Sequence, residues 1–303
     1  MRVGAFPTTR TALAVTRPAG PRPRLTGRVD QSVSLGHYLA IGITVAAPAA
    51  LVPLARLRPG RWTTALRWLL ATVLVVNEVV YQLVQWRGWD RGDPYVFHPW
   101  SVRYSLPLWV CDVAALTGAA ALVWRRPLLV EVTWFWALAG TLQAIATPDH
   151  PIAFFSYDWL EFYTVHIGVV LTALFLVVGL RLHPRPRAAL RVVAVTVGFI
   201  ALVGVVDALT GGDYEYLHTA TPPGLLGVMG PWPWYILGAT GVGLLSFLVV
   251  DLPFWPERRR ARPGTPARLP GPVSLHELEP GHRGGHEDGD RGEERHREPQ
   301  APR

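Results

Sequence analysis

The chain has 303 residues; half are hydrophobic and 17% are charged, against about a quarter charged in an ordinary soluble domain. The formal charge is +7, yet the arginines are scattered over tails and short connections between apolar runs, which marks membrane topology and not a nucleic-acid face. A single cysteine, Cys111, excludes an internal disulfide framework, and the absence of lysine excludes a Schiff-base cofactor of the retinal kind.

Residues 1 to 34 are rich in Pro and Arg without apolar periodicity, the composition of a disordered leader, and contain no compact apolar run ending in a cleavage site. From Leu35 to Trp255 apolar stretches of about twenty residues follow one another, each long enough to cross a hydrocarbon core of ~30 Å. Continuous stretches, without the alternation of a barrel, predict an all-α transmembrane bundle of about seven spans over residues 35–255. The predicted spans are 35–54, 64–86, 105–124, 127–147, 160–181, 190–210 and 233–254. Residues 256–303 read as a disordered tail, in which His276, His282, His286 and His296 have no metal-ligand spacing.

The first, third and fifth connections and the C-terminal flank hold Arg56, Arg58, Arg61, Arg125, Arg126, Arg181, Arg185, Arg187 and Arg258 to Arg260. The fourth and sixth connections hold no arginine. By the positive-inside rule the C-terminus is expected in the cytoplasm and the N-terminus outside, in a cell membrane.

With that topology, polar side chains in the spans gather in the outer half at 1.5 Å per residue. Asn77, Glu78, Gln82 and Gln85 lie toward the outer end of the second span, Cys111 and Asp112 early in the third, Gln143 and Thr147 at the end of the fourth, His166 in the fifth and Asp207 late in the sixth. An ionisable group in hydrocarbon costs at least ~2.5 kcal/mol, so several at one depth imply a polar cavity. Taken singly, Asn77 and Gln143 serve equally well as interhelical glue, and Asp112 as a cap near the interface. Glu131, near the inner end of the fourth span, reads as a boundary or packing residue.

Cys111 and His166 are the sharpest pair, because an imidazole that takes the thiol proton turns a small buried hydrophobe into a nucleophile for acyl transfer. The plainer alternative is packing, since Cys111 shares a helical face with Ala114, Ala115 and Gly118. Glu78 or Asp207 can orient the imidazole. No cofactor is expected, because His37 and His166 are the only histidines in the spans and His37 lies at a span edge, unsuited to a bis-His haem. The connection from Arg87 to Tyr104 reads as an aromatic interfacial belt, and the sixth connection, dense in Gly, Pro and aromatics, as an ordered loop serving as a lid or an anchor.

The strings LPLWVCD (106–112), WFWALAGTLQAIATPD (134–149), LTGGDYEYL (209–217) and GPWPWY (230–235), with His166 between them, resemble the YwaF-like bacterial integral membrane proteins. That family is similar to the animal transmembrane protein 164 group of Cys-dependent phospholipid acyltransferases. The resemblance spans residues 35–255 and implies Cys111 as nucleophile and His166 as general base, with membrane lipid as partner and a lipid or acyl group as substrate. The sequence departs from that pattern where Asp207 and Asp213 stand in place of Asn, and where Thr219 to Thr221 replace a basic segment. Two functions remain: a lipid-acting Cys/His acyltransferase or hydrolase with Glu78, Asn77, Asp112, Gln143 and Asp207 as cavity or orienting residues, or a transporter or small-molecule-binding protein with a polar intramembrane cavity in which Glu78, His166 and Asp207 relay protons or hold a polar ligand.

Overall fold

The computed structural model describes residues 27–87, 100–103, 105–148, 152–219 and 224–260. Most of the leader, the aromatic segment around Tyr95 to His98, and the histidines of the tail lie outside them. All regular structure among the described residues is helical. Seven helices follow the apolar runs: α1 (Gly27–Leu57), α2 (Arg61–Trp86), α3 (Val110–Trp124), α4 (Pro127–Ala146), α5 (Tyr157–Gly179), α6 (Ala188–Thr210) and α7 (Trp234–Phe254). The strongest end signals are those the sequence carries. Pro127 opens α4 at its first turn, Ser156 caps α5 by accepting from the Trp159 amide at 3.1 Å, and Gly211 closes α6 in the left-handed conformation at φ 69°.

Six of these helices are long and apolar enough to cross a membrane, and α3 is the short apolar seventh. Its 15 residues rise only about 22 Å, because the chain stays irregular through Ser105–Trp109. Pro107 disfavours helix at Leu106, since the residue before a proline is pushed out of the helical region, and Trp109, extended at φ −71° and ψ 140°, is the N-cap from which α3 starts. The expected third span from residue 105 therefore starts with five non-helical residues, and Ser105 among them is buried at 3% exposure. Irregular backbone at membrane depth is tolerable only where protein covers it and supplies its hydrogen bonds.

Burial is inverted relative to a soluble protein. The spans of α4 and α5 are 56% and 67% buried, while those of α1, α2, α6 and α7 are no more than 22% buried and present Leu69, Val76, Leu202, Leu245 and Val249 outward. An exposed apolar surface of that extent fits lipid, not water. The chain is thus a multi-pass membrane protein with α3, α4 and α5 in the middle. α2 packs on α3 and α5, α1 on α5, and α6 and α7 on α4. The arginine-rich end is tied by ion pairs: Glu131, at 1% exposure, holds Arg185 at 2.9 Å and Arg191 at 2.7 Å, and Asp251 holds Arg258 at 2.7 Å. Glu131 is therefore the anchor between α4 and the start of α6, a sharper role than a boundary residue.

Candidate functional site

At the opposite end, the start of α3 is held by acceptors that come from far along the chain. Two first-turn amides meet carboxylates: the Trp109 amide donates to Asp112, and the Val110 amide donates to Glu215 of the α6–α7 connection. The first is the reach-back half of a capping box, and the second is a cap supplied in trans. Tyr214, fully buried, accepts from the Leu106 amide at 2.8 Å and donates its hydroxyl to the Val102 carbonyl at 2.9 Å. Asp207 anchors this connection by accepting from the Tyr214 amide at 3.0 Å. Tyr235 of α7 closes it by donating to the carbonyls of Tyr216 and Thr219. The strings around 106–112, 209–217 and 230–235 thus form one interlocked unit over the end of α3.

Below that unit lies an apolar cavity of about 560 Å³ between α4, α6 and α7. Such a volume falls within the roughly 300–1,000 Å³ of small-molecule pockets. Val110, Glu215, Leu217 and Tyr235 line its upper end, Trp136, Ala139 and Gly140 one side, and Thr196, Ile200, Ala239, Gly243 and Phe247 the remainder. A π-helical turn at Ala137–Thr141 widens α4 where it faces the cavity. An added Cβ on Gly140 or Gly243 would meet nothing within 4 Å, so both glycines leave space open. Trp136 donates from Nε1 to Thr196 at 2.9 Å, which fixes the indole across the wall. Burial in this apolar setting pushes the Glu215 carboxyl up to about 7, against the opposing pull of the Val110 amide.

Cys111 is half-buried in the first turn of α3, next to Val110 of the cavity wall, and His166 is buried at 5% exposure in α5. The two helices run parallel, and Gly118 marks their register: its missing Cβ would lie 3.5 Å from Thr172 of α5 and 3.6 Å from Leu74 of α2. Seven residues back along each helix, about 10.5 Å and just under two turns, Gly118 leads to Cys111 and Thr172 leads to Val165, beside His166. By that register Val165, the residue before His166, stands near the level of Cys111. His166 Nδ1 is 2.6 Å from the Phe162 carbonyl, which can only accept, so Nδ1 carries the hydrogen and Nε2 is the basic nitrogen of the neutral ring. Phe162 also stacks on the imidazole with centroids 3.9 Å apart.

The other polar residues divide. Asp112, 9% exposed, faces Glu78, Glu161 and Glu215 electrostatically, so four carboxylates stand around the start of α3. Gln82 donates to Glu78 at 2.9 Å, and Asn77 reaches Glu161 at 3.4 Å. Gln143 is exposed and donates to Thr147 at 2.7 Å within its own helix, while Gln85 donates to Tyr81 at 2.9 Å. His37 pairs with Tyr163 at 3.0 Å between α1 and α5. Sequence reasoning left out Glu161, Tyr214 and Glu215. Glu161 carried a signal, an acid five residues before His166 in the same span, whereas Tyr214 and Glu215 act on residues more than 100 positions away, which no local pattern reveals.

Fold and site define a multi-pass integral membrane protein whose buried polar residues and apolar cavity meet at one end of the helix bundle. The chain belongs to the TMEM164 family, whose model matches residues 32–251. No curated protein and no solved structure matches it.

Proposed function

We propose that this protein is a lipid-acting acyltransferase or hydrolase of the cell membrane in which Cys111 is the nucleophile and His166 the general base. What supports the reading is the packing of α3 on α5 at Gly118 and Thr172, a register that brings Cys111 and His166 toward one depth, beside an apolar cavity whose wall includes Val110. His166 Nε2 takes the thiol proton as Sγ attacks the ester carbonyl of a lipid whose acyl chain lies in the cavity. The C–O bond breaks, the proton passes to the leaving alkoxide, and a thioester remains on Cys111. A hydroxyl acceptor or water then attacks the thioester, gives its proton to Nε2, and regenerates the thiol. With the Trp109 and Val110 amides engaged by carboxylates, the amides of Cys111 and Asp112 are the first-turn donors assigned to the oxyanion. Glu78 and Asp112 contribute polar depth around the pair. The arginine-rich end is assigned to the cytoplasm and the N-terminus to the outside, so substrate enters from the outer leaflet.

Incubation with a phospholipid carrying a radiolabelled acyl chain, followed by acid quench, tests the scheme. Hydroxylamine-sensitive label is expected on wild type and none on Cys111→Ser; equal labelling of both removes Cys111 from the chemistry.

One observation favours a second reading. Glu78 and Glu161 face Asp112 at the start of α3, and such intramembrane acids suit a transporter or small-molecule-binding protein in which Glu78, His166 and Asp207 relay protons or hold a polar ligand. That reading expects Cys111→Ala to be tolerated and Glu78→Gln to be damaging.

A further inference from the structure

Outside the thiol centre, the last turn of α6 and the connection after it bring together three metal-ligating side chains that neither the apolar cavity nor the thiol chemistry uses. Asp207, Asp213 and His218 each bring one ligand atom, and the three atoms lie within 4.8 Å of one another. Asp207 is only 2% exposed, and although Oδ1 accepts from the Tyr214 amide, Oδ2 has no hydrogen-bond partner among the described residues. Among the described residues the charged groups that face it are His218, Asp213 and Glu215. A buried carboxylate oxygen without a donor, with a second carboxylate beside it, is an unfavourable arrangement that a cation resolves. Arg103 does not fill that role, because its Nε donates to the Thr210 carbonyl at 2.9 Å and its guanidinium lies against Gly211.

The backbone prepares the site. Asp213 Oδ1 accepts from the His218 amide at 2.6 Å and Oδ2 accepts from the Thr219 hydroxyl, so the loop is wound around this carboxylate and brings the imidazole back to it. Gly212 is needed at the turn, since a Cβ there would lie 3.0 Å from Asp207 Oδ1 and 2.9 Å from the Arg103 carbonyl. A cation at about 2.0–2.2 Å from each ligand sets its ligand atoms about 3.4 Å apart, so closure onto an ion needs shifts on the order of 1 Å.

We propose that Asp207, Asp213 and His218 bind one divalent metal ion of the zinc and manganese class, leaving a coordination position open on the exposed side of His218. The imidazole favours Zn²⁺, a borderline ion, and the two carboxylates admit the harder Mn²⁺, whereas Ca²⁺ and Mg²⁺ select all-oxygen sites. The ion pins the loop to the end of α6. That loop also carries Glu215 and Leu217, so metal binding secures the cap on α3 and the upper wall of the cavity. The site stands whether or not Cys111 is a nucleophile.

The test uses the full chain in detergent without a polyhistidine tag, with His276, His282, His286 and His296 replaced by Ala so that tail histidines cannot bind metal. After chelator treatment, ZnCl₂ and MnCl₂ are titrated by calorimetry, with CaCl₂ and MgCl₂ as comparisons, and CoCl₂ is followed by visible absorption. One equivalent is expected to bind and to raise Tm. His218→Ala, an exposed position that leaves the fold intact, and Asp213→Asn are each expected to weaken binding at least about 10- to 100-fold and abolish the cobalt bands. Absence of binding at submillimolar zinc or manganese, equal binding by His218→Ala, or preference for Ca²⁺ or Mg²⁺ would overturn the proposal.

Discussion

Filling the cavity from its glycine walls separates a ligand chamber from a packing defect. Gly140 and Gly243 line the 560 Å³ space, and a Cβ at either would meet nothing within 4 Å among the described residues, so the longer side chain of a Leu there starts into open space. Each Leu takes the room of about three methylenes of a bound chain, which at ~0.8 kcal/mol per methylene is about 2.4 kcal/mol, or on the order of 50-fold in affinity. Replacing a helical glycine should itself favour the fold by up to ~1 kcal/mol. Weaker ligand binding with equal or higher Tm is therefore the expected signature. A fluorescent acyl-chain analogue titrated into detergent-solubilised protein measures the first, and thermal unfolding the second. Gly198→Leu is the control, because its added Cβ also meets nothing but the residue does not line the cavity. Undiminished binding in Gly140→Leu and Gly243→Leu, or an equal loss in Gly198→Leu, would refute the assignment of this space to an acyl chain.

Tyr214→Phe removes the hydroxyl shared by the Leu106 amide and the Val102 carbonyl, and a drop of about 1–3 kcal/mol in unfolding free energy is expected, read by denaturant titration in mixed micelles. A smaller cost of about 1 kcal/mol should follow Glu215→Ala through loss of the cap on Val110, whereas Glu215→Gln retains an acceptor and should behave nearly as wild type; equal melting of the two would remove the capping role. At the other end of the bundle, Glu131→Gln is expected to cost about 1–2 kcal/mol, between the limits for exposed and buried pairs, because Arg185 and Arg191 are partly solvated. High salt should lower wild-type stability toward that of the Glu131 variant.

The helices were legible in the sequence because a bilayer demands long apolar segments, and length with hydropathy alone locates α2 and α4 to α7 within a few residues, whereas α1 begins at Gly27, eight residues before the expected span. The start of α3 was misjudged by five residues for a reason equally physical: hydropathy does not register that Pro107 disfavours helix at Leu106, nor the side chains that make an irregular segment bearable at depth. Asp112 was readable as a cap-like group, and it accepts from the Trp109 amide. The ordered character expected of the loop after α6 also has its counterpart in the Tyr214 and Tyr235 hydrogen bonds, although its work, capping α3 and walling the cavity, is long-range. The cavity itself was invisible, because Gly140, Gly243 and Ala239 look the same in sequence whether they admit a neighbouring helix or leave a void.

The most direct test of the central claim is the rate at which Cys111 reacts with an acyl-donor or thiol probe in the purified protein, compared among wild type, His166→Ala and Cys111→Ala. The account expects wild type to label well above a model thiol at neutral pH, His166→Ala to fall to or below the model rate, and Cys111→Ala not to label. Equal labelling of wild type and His166→Ala, or a wild-type rate no higher than that of a model thiol, would contradict it and leave the cavity to be tested as a transport or binding site.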